Sequence, residues 1–292
     1  MTKTLRNSKD TVFRMIFKEK ENALALYNAM NHSDYQDVEL LEITTLENAI
    51  YVSYKNDVSF IINSYLCLYE HQSTINPNIP LRTLFYVSAQ LSKLTGKRNL
   101  YGTKLVKIPT PKFVCFYNGV DDFPEYTEWK LSDAFREKTE KVQLEVIVDV
   151  YNINSGNNKS LLNTCKILGD YAIYTNKVRT YAKSLPIEEA VEQAITECIN
   201  DNILAEFLRK NQLEAKSMTI FEYDEEEHIR LEREDAKAEI KIKLIRRMLA
   251  KSLGNEEIAE LLGVDLSYVE EIADIVSRNP DITDGEIVEQ ML

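Results

Sequence analysis

Apolar residues near the start of the chain recur at the spacing of an α-helix. One side of this helix carries Val12, Phe13, Ile16 and Phe17. We therefore predict a helix over Thr11–Met30, with a break at Lys18–Glu21 and with Ser8 as its N-cap.

Between residues 38 and 119 the pattern becomes that of a sheet. The predicted strands are Val38–Ile43, Ile50–Tyr54, Asp57–Ile62, Tyr65–Gln72 and Lys112–Tyr117. A helical run over Leu81–Leu94 separates the last two strands, and its ends are marked by Pro77, Pro80 and Thr95–Gly96. The predicted order is helix, strands, helix, strand.

The remainder of the chain is predicted to be helical after one more strand at Gln143–Val150. The helices are expected near Leu161–Asp170, Thr175–Ser184, Pro186–Asn200 and Asp201–Ala215. A long, highly charged helix over Tyr223–Lys251 follows, and its sparse apolar positions indicate a solvated or bridging helix. Residues 1–155, 156–220 and 221–292 are thus expected to form a core, a helical extension and a helical tail.

The helical tail resembles a helix-turn-helix in the segment IAELLGV followed by SYVEEI. Gly254 and Gly263 are predicted to end helices, and Asn255 and Ser267 to cap the next ones. The second helix of this pair carries acids that would repel phosphate, namely Glu270, Glu271 and Asp274. We therefore favour packing or self-association, as in a homodimer formed through these helices, over DNA reading.

Charge is distributed unevenly along the chain. The net charge is −12, yet residues 1–120 hold 14 Lys and Arg against 10 Asp and Glu. Six basic residues and no acid lie in one stretch of this part, namely Lys93, Lys97, Arg98, Lys104, Lys107 and Lys112. Such a patch suits a phosphate backbone, although a solvated helix end and loop explain it equally well.

Two acids are predicted to face each other across a hairpin. If Asn63–Ser64 is the turn between Asp57–Ile62 and Tyr65–Gln72, then Asp57 lies opposite Glu70, with Cβ atoms about 4.5–5.5 Å apart. Gln72 lies two residues further along the same face. Like charges so placed need compensation, and a divalent cation such as Mg²⁺ would provide it. A solvent-exposed hairpin mouth is the alternative, and a register slip of one residue would separate the acids.

Several segments resemble one family in combination. KNDVSF, YEHQSTINPNIPLRTLFY, CFYNG, VYNINSGNN and DTVFRMIF are similar to segments of the PD-(D/E)XK nuclease family transposases, also called recombination-promoting nucleases. The similarity spans most of residues 10–220. It implies an α/β (α+β) fold with a restriction-endonuclease-like core, in which a mixed sheet is flanked by helices, plus the all-helical C-terminal region.

The resemblance also implies roles for individual residues. Asp57 and Glu70 would bind Mg²⁺, with Mn²⁺ as a substitute, and the backbone carbonyl of His71 would complete the metal shell. Gln72 occupies the position where such folds usually have Lys, and Asn56 stands where the motif has Pro. Gln supplies neither a base nor a positive charge, but it can orient water and phosphate by hydrogen bonds.

Two further residues are candidates near this site. Arg82 is expected to clamp a phosphate, with a salt bridge at the helix start as the alternative. Asp10 is a candidate additional acid, with an ordinary first-turn charge as the alternative.

These observations predict a metal-dependent DNA endonuclease of low sequence specificity, linked to mobile-element recombination or defence. A catalytically inactive nuclease fold that binds DNA or regulates a partner is the first rival, and a protein-interaction module is the second. The apolar runs are too short to cross a membrane, the start MTKTLRNSKD has no apolar signal region, and the four cysteines are scattered without zinc spacing. A cytoplasmic protein is therefore expected.

Overall fold

The computed structural model describes residues 11–44, 57–96, 100–280 and 282–291. The predicted strand Ile50–Tyr54 and the predicted cap Ser8 lie outside these residues. The chain divides into two compact units, Met1–Tyr223 and Asp224–Leu292.

Six strands of the described residues form one mixed sheet in the first unit. They are β1 (Leu41–Ile43), β2 (Val58–Ile62), β3 (Tyr65–Gln72), β4 (Thr110–Tyr117), β5 (Tyr126–Lys130) and β6 (Ile147–Asn152). The order across the sheet is β1-β2-β3-β4-β6-β5. β3, β4 and β6 run parallel, whereas β1, β2 and β5 pair antiparallel to their neighbours. The expectation of an α/β fold with a mixed sheet is thus confirmed.

The hairpin between β2 and β3 has the register predicted from its turn. Val58 pairs with Tyr69 and Ile62 with Tyr65. Asn63 has φ 52°, a left-handed conformation that Asn tolerates better than most residues. The turn therefore determines which side chains share each face of these strands.

The helices of the first unit surround this sheet. They are α1 (Val12–Phe17), α2 (Lys20–Asn31), α3 (Ile79–Thr95), α4 (Lys159–Thr164), α5 (Lys166–Tyr181), α6 (Ile187–Asn200), α7 (Ala205–Lys210) and the start of α8 (Gln212–Leu249). The predicted break between the first two helices is confirmed. The N-cap of α1 is Thr11, whose hydroxyl accepts a hydrogen bond from the Arg14 N–H at 3.1 Å.

Several predicted boundaries were wrong. Val38–Leu40 is a 3₁₀ turn ahead of β1, and the last long strand begins at Ile147 rather than Gln143. The predicted helices Leu161–Asp170 and Thr175–Ser184 are instead the short α4 and the single long α5, and the long charged helix begins at Gln212 rather than Tyr223.

The two faces of β3 belong to different parts of the core. Cys67 and Tyr69 pack in the large cluster with Phe13 of α1 and Tyr171 of α5. Leu66 and Leu68 pack on the other face against α3, through Tyr86 and Val87. Because side chains alternate along a strand, Glu70 and Gln72 follow the α3 face and His71 follows the α1 and α5 face.

The second unit has its own apolar core. It contains the end of α8 with α9 (Asn255–Leu262), α10 (Leu266–Arg278) and α11 (Asp284–Met291), and its buried residues include Ile245, Ile258, Val269, Ile272 and Ile287. Gly263 ends α9 at φ 61°, as predicted, whereas α9 is capped by Gly254 and α10 by Asp265 rather than by Asn255 and Ser267. Across the described residues of the chain, no helix combines the length and apolarity needed to cross a membrane.

Candidate functional site

Asp57 and Glu70 lie side by side at the open end of the hairpin. The Asp57 N–H donates to Glu70 Oε1 at 3.3 Å, and the His71 N–H donates to Asp57 Oδ2 at 2.8 Å. Each carboxylate is therefore held by a backbone N–H of the opposite strand or its continuation. Such contacts fix the orientation of both acids before any ligand binds.

Arginine side chains compensate part of this negative charge. Arg82 Nη2 of α3 lies 3.7 Å from Glu70 Oε2, and the same guanidinium donates to the Tyr86 hydroxyl at 3.0 and 3.2 Å. The charge of Arg14, a buried residue of α1, also acts on Glu70. Arg82 thus lies beside the acid pair. This position is compatible with the predicted contact to a phosphate and also with the alternative, a salt bridge at the helix start.

Glu70 is held in conditions that oppose its ionisation. The side chain is only 5% exposed. Burial and the neighbouring Asp57 raise the pKa of Glu70 well above its ordinary value, while Arg82, the Asp57 N–H and Arg14 act in the opposite direction. A proton or a further cation is therefore favoured at this carboxyl.

The backbone of His71 faces the acid pair although its ring does not. The N–H and C=O of one strand residue point to the same neighbouring strand. The His71 N–H donates to Asp57 on the β2 side. The carbonyl of the next residue, Gln72, accepts from the Asn118 N–H at 3.0 Å on the β4 side. The His71 carbonyl therefore faces the β2 side, where Asp57 lies.

The His71 ring lies in an enclosed network on the other face of the sheet. It stacks on Phe13, with 5.4 Å between ring centroids, and its Nε2 lies 2.8 Å from Asn118 Oδ1 and 3.0 Å from the Tyr171 hydroxyl. Arg179 donates to the Asn118 carbonyl. Burial lowers the pKa of His71 to about 4, so the ring is neutral at pH 7.

Three members of this network were not predicted from the sequence. They are Asn118, Tyr171 and Arg179. Asn118 belongs to the segment CFYNG, which carried part of the resemblance, so a signal for it was present. Tyr171 and Arg179 come from α5 and gave no local signal, because their positions depend on the packing of α5 against the sheet.

Gln72 and Cys115 extend the acid face of the sheet. Gln72 is partly buried at the end of β3, two residues beyond Glu70. Cys115 pairs with Glu70 in the register between β3 and β4, and burial and then the two acids raise the pKa of its thiol well above the ordinary value. The thiol is therefore protonated in this environment and is a poor nucleophile.

The donor set is compatible with a hard cation that keeps most of its water. Among the residues that the structure describes, no cluster of three His, Cys, Asp or Glu side chains is arranged to hold a metal ion. Two carboxylates and the His71 carbonyl nevertheless present oxygen donors to the same region, and Mg²⁺ commonly binds proteins through one or two carboxylates plus waters. The raised pKa of Glu70 shows that a cation there would relieve unfavourable charge.

The remaining predicted site residues have different outcomes. Lys93 lies in the last turn of α3, Lys104 and Lys107 follow in the loop ahead of β4, and all three are exposed. Lys97, Arg98 and Asp10 lie outside the described residues. Lys112 is engaged within the fold, because its ammonium donates to Asn31 and lies 4.6 Å from the centroid of the Tyr65 ring.

Comparison with known proteins assigns no family to the chain. Searches against protein-family models, curated proteins and solved structures each found no match.

Proposed function

We propose that the protein is a Mg²⁺-dependent DNA endonuclease of low sequence specificity with a PD-(D/E)XK-type core. The observation that carries this proposal is the pair Asp57 and Glu70, fixed together by backbone hydrogen bonds at the end of the β2–β3 hairpin. The element order from α1 to β4 supports it, because the resemblance implies the same order of helix, antiparallel strands, helix and strand.

The proposed division of labour follows from the chemistry of each group. Asp57, Glu70 and the His71 carbonyl hold the cation, with Mn²⁺ as a substitute for Mg²⁺. A bound Mg²⁺ supplies Lewis acidity toward the scissile phosphodiester and lowers the pKa of a bound water. Gln72 orients water and phosphate through its amide. Arg82, which remains charged at every accessible pH, supplies the positive charge that Gln72 lacks.

The DNA backbone is proposed to follow the exposed lysines near the end of α3. Lys93, Lys104 and Lys107 supply charge without base recognition, which accounts for low sequence specificity. A role in mobile-element recombination or defence is part of the same proposal. The thiols of Cys67, Cys115, Cys165 and Cys198 are all buried and unpaired, which supports a reducing, cytoplasmic setting.

Plasmid nicking tests the proposal directly. The purified protein is expected to convert supercoiled plasmid to the open form with Mg²⁺ or Mn²⁺ and to lose this activity in excess EDTA. Asp57→Ala, purified in parallel, is expected to be inactive. Equal nicking by the wild type and Asp57→Ala would assign the activity to another site or to a contaminant and would overturn the proposal.

A catalytically inactive DNA-binding protein is the second candidate. Two observations favour it: Gln72 occupies the usual Lys position, and Arg82 already compensates part of the charge of Glu70. If this candidate is correct, no divalent cation supports nicking. The protein still retains DNA, and this retention weakens steeply as the salt concentration rises. The nicking assay and a filter-binding assay on one preparation therefore separate the two candidates.

The second unit is proposed to join two copies of the chain. Several of its large apolar side chains are exposed, including Ile240, Leu244, Leu261 and Leu266. We expect the full chain to be a dimer by light scattering and the variant Leu261→Glu to be a monomer, because a charge in an apolar interface stays unpaired. The exposed lysine variant Lys138→Glu is the control. A monomeric full chain would contradict the prediction.

A further inference from the structure

Asn118, the residue that follows β4, is buried and joins two other elements through each of its polar groups. Its N–H donates to the Gln72 carbonyl of β3 at 3.0 Å, and its carbonyl accepts from Arg179 of α5. Its side-chain Oδ1 lies 2.8 Å from His71 Nε2, and its Nδ2 donates to Thr175 Oγ1 at 3.3 Å. Buried polar networks of this kind impose one arrangement on the groups that they connect.

The orientation of the Asn118 amide follows from its neighbours. The Thr175 hydroxyl donates to the Ala172 carbonyl at 3.1 Å, so the Thr175 oxygen accepts from Asn118 Nδ2. Asn118 Oδ1 therefore faces His71. Since an amide oxygen only accepts, His71 Nε2 carries the hydrogen. The Tyr171 hydroxyl lies 3.0 Å from the same nitrogen. The His71 ring is thus held in one tautomer and one orientation.

The contacts of Asn118 hold the peptide group between His71 and Gln72 from two sides. The His71 ring is fixed on the α1 and α5 face of the sheet, and the Gln72 carbonyl is fixed toward β4. Between these two points, the His71 carbonyl faces β2, where Asp57 Oδ2 accepts from the His71 N–H at 2.8 Å. Asn118 therefore restricts rotation of the one backbone carbonyl that is directed toward the acid pair.

We propose that Asn118 is a positioning residue of the metal site and that it acts on the cation through His71. Its side chain contacts the His71 ring on the face of the sheet opposite to Glu70, so it touches neither the cation nor the DNA. Groups that orient metal ligands from behind commonly change metal affinity by roughly 10–100-fold when they are removed. This inference rests on the proposed function, which supplies the cation.

Binding of Mn²⁺ in the absence of DNA tests the inference. The full-length protein is titrated with Mn²⁺, and electron paramagnetic resonance measures the free ion, because the hydrated ion loses its sharp signal on binding. Asn118→Ala is expected to raise the Kd for Mn²⁺ roughly tenfold, and Asp57→Ala to abolish binding at the acid pair. His71→Phe keeps an aromatic ring against Phe13 but has no N–H, so it should raise the Kd by a similar factor. The double variant should also lose roughly tenfold and not a hundredfold, because both changes break the same hydrogen bond.

Asn154→Ala is the matched control. Asn154 Nδ2 donates to the Gly119 carbonyl at 2.9 Å, so this variant loses an amide hydrogen bond next to Asn118 that does not involve His71. We expect its Kd for Mn²⁺ to equal that of the wild type, even where its Tm falls as far as that of Asn118→Ala. Circular dichroism shows whether each variant is folded at the temperature of the titration.

The possible results separate this inference from the nuclease proposal. Weaker Mn²⁺ binding in Asn118→Ala and His71→Phe, but not in Asn154→Ala, would support the positioning role even in a protein that never nicks plasmid. Equal Mn²⁺ affinity in the wild type and Asn118→Ala, or in the wild type and His71→Phe if Asn118→Ala does not fold, would overturn this role alone. Equal weakening in Asn154→Ala would also overturn it, because general loosening would then explain the effect. A wild-type protein that binds no Mn²⁺ would overturn both proposals.

Discussion

Glu70→Gln is expected to lower the rate of plasmid nicking about a thousandfold and to raise thermal stability at the same time. The rate falls because the amide is a poor ligand for Mg²⁺, and about 4 kcal/mol of stabilisation of the developing charge is lost. Stability rises because the amide carries no charge in a position where burial and Asp57 oppose ionisation of the carboxyl. Arg82 keeps its hydrogen bonds to the Tyr86 hydroxyl.

The stability gain should depend on pH in a defined direction. The unfolded chain ionises Glu70 near its ordinary pKa of 4.5, whereas the folded protein keeps the proton to higher pH. The free energy of unfolding of the wild type therefore falls as the pH rises above that pKa. The E70Q variant does not show this fall, because its amide does not ionise. In EDTA at pH 7 we expect its Tm to be higher by about 2–4 °C, which corresponds to about 1 kcal/mol.

Glu42→Gln is the matched control for this prediction. Glu42 is an exposed acid of β1 in the same sheet, so the same chemical change should alter neither the rate nor the Tm. An E70Q variant that is inactive but clearly less stable would show that Glu70 is needed chiefly as the partner of Arg82. A fully active variant would remove Glu70 from the proposed catalytic group.

The part of the site that could be predicted from sequence is the part that one hairpin determines. The side chains of a strand alternate with period two, and Asn63–Ser64 fixes the register, so the proximity of Asp57 and Glu70 follows from local information alone. Arg82 and Tyr86 were also predictable as neighbours, since residues four apart share a face of a helix. Their approach to Glu70 was not, because it depends on how α3 packs on the sheet.

The network around the His71 ring shows where sequence reasoning ends. Asn118 and Tyr171 are separated from His71 by 47 and 100 residues, and no periodic pattern connects them. The edge strand β5 was missed for a related reason: its alternation over Tyr126–Lys130 is short, and only the pairing with β6 makes it a strand. α5 was wrongly predicted as parts of two helices, because its polar residues at 175–177 resemble a helix boundary when only the sequence is considered.

Gly119→Ala is expected to destabilise the first unit by about 3 kcal/mol, the upper range for inserting one extra carbon into a tightly packed position. A Cβ atom at this position would lie 2.1 Å from the Ser73 carbonyl oxygen and 2.5 Å from the Tyr117 hydroxyl. The first of these neighbours is backbone that follows β3, so relief requires the ends of β3 and β4 to separate. Two hydrogen bonds would be strained, those from the Asn118 N–H to the Gln72 carbonyl and from Asn154 Nδ2 to the Gly119 carbonyl.

Thermal unfolding followed by circular dichroism measures this effect. We expect a fall in Tm of roughly 6–12 °C for Gly119→Ala. Gly254→Ala is the matched control, because a Cβ there meets no atom within 4 Å and the backbone has an ordinary φ of −74°. Since Asn118 adjoins Gly119 and holds the His71 ring, the variant should also nick plasmid more slowly at temperatures where it remains folded. Equal melting of the two variants would mean that the ends of β3 and β4 yield easily, and the tight packing inferred at Gly119 would then be wrong.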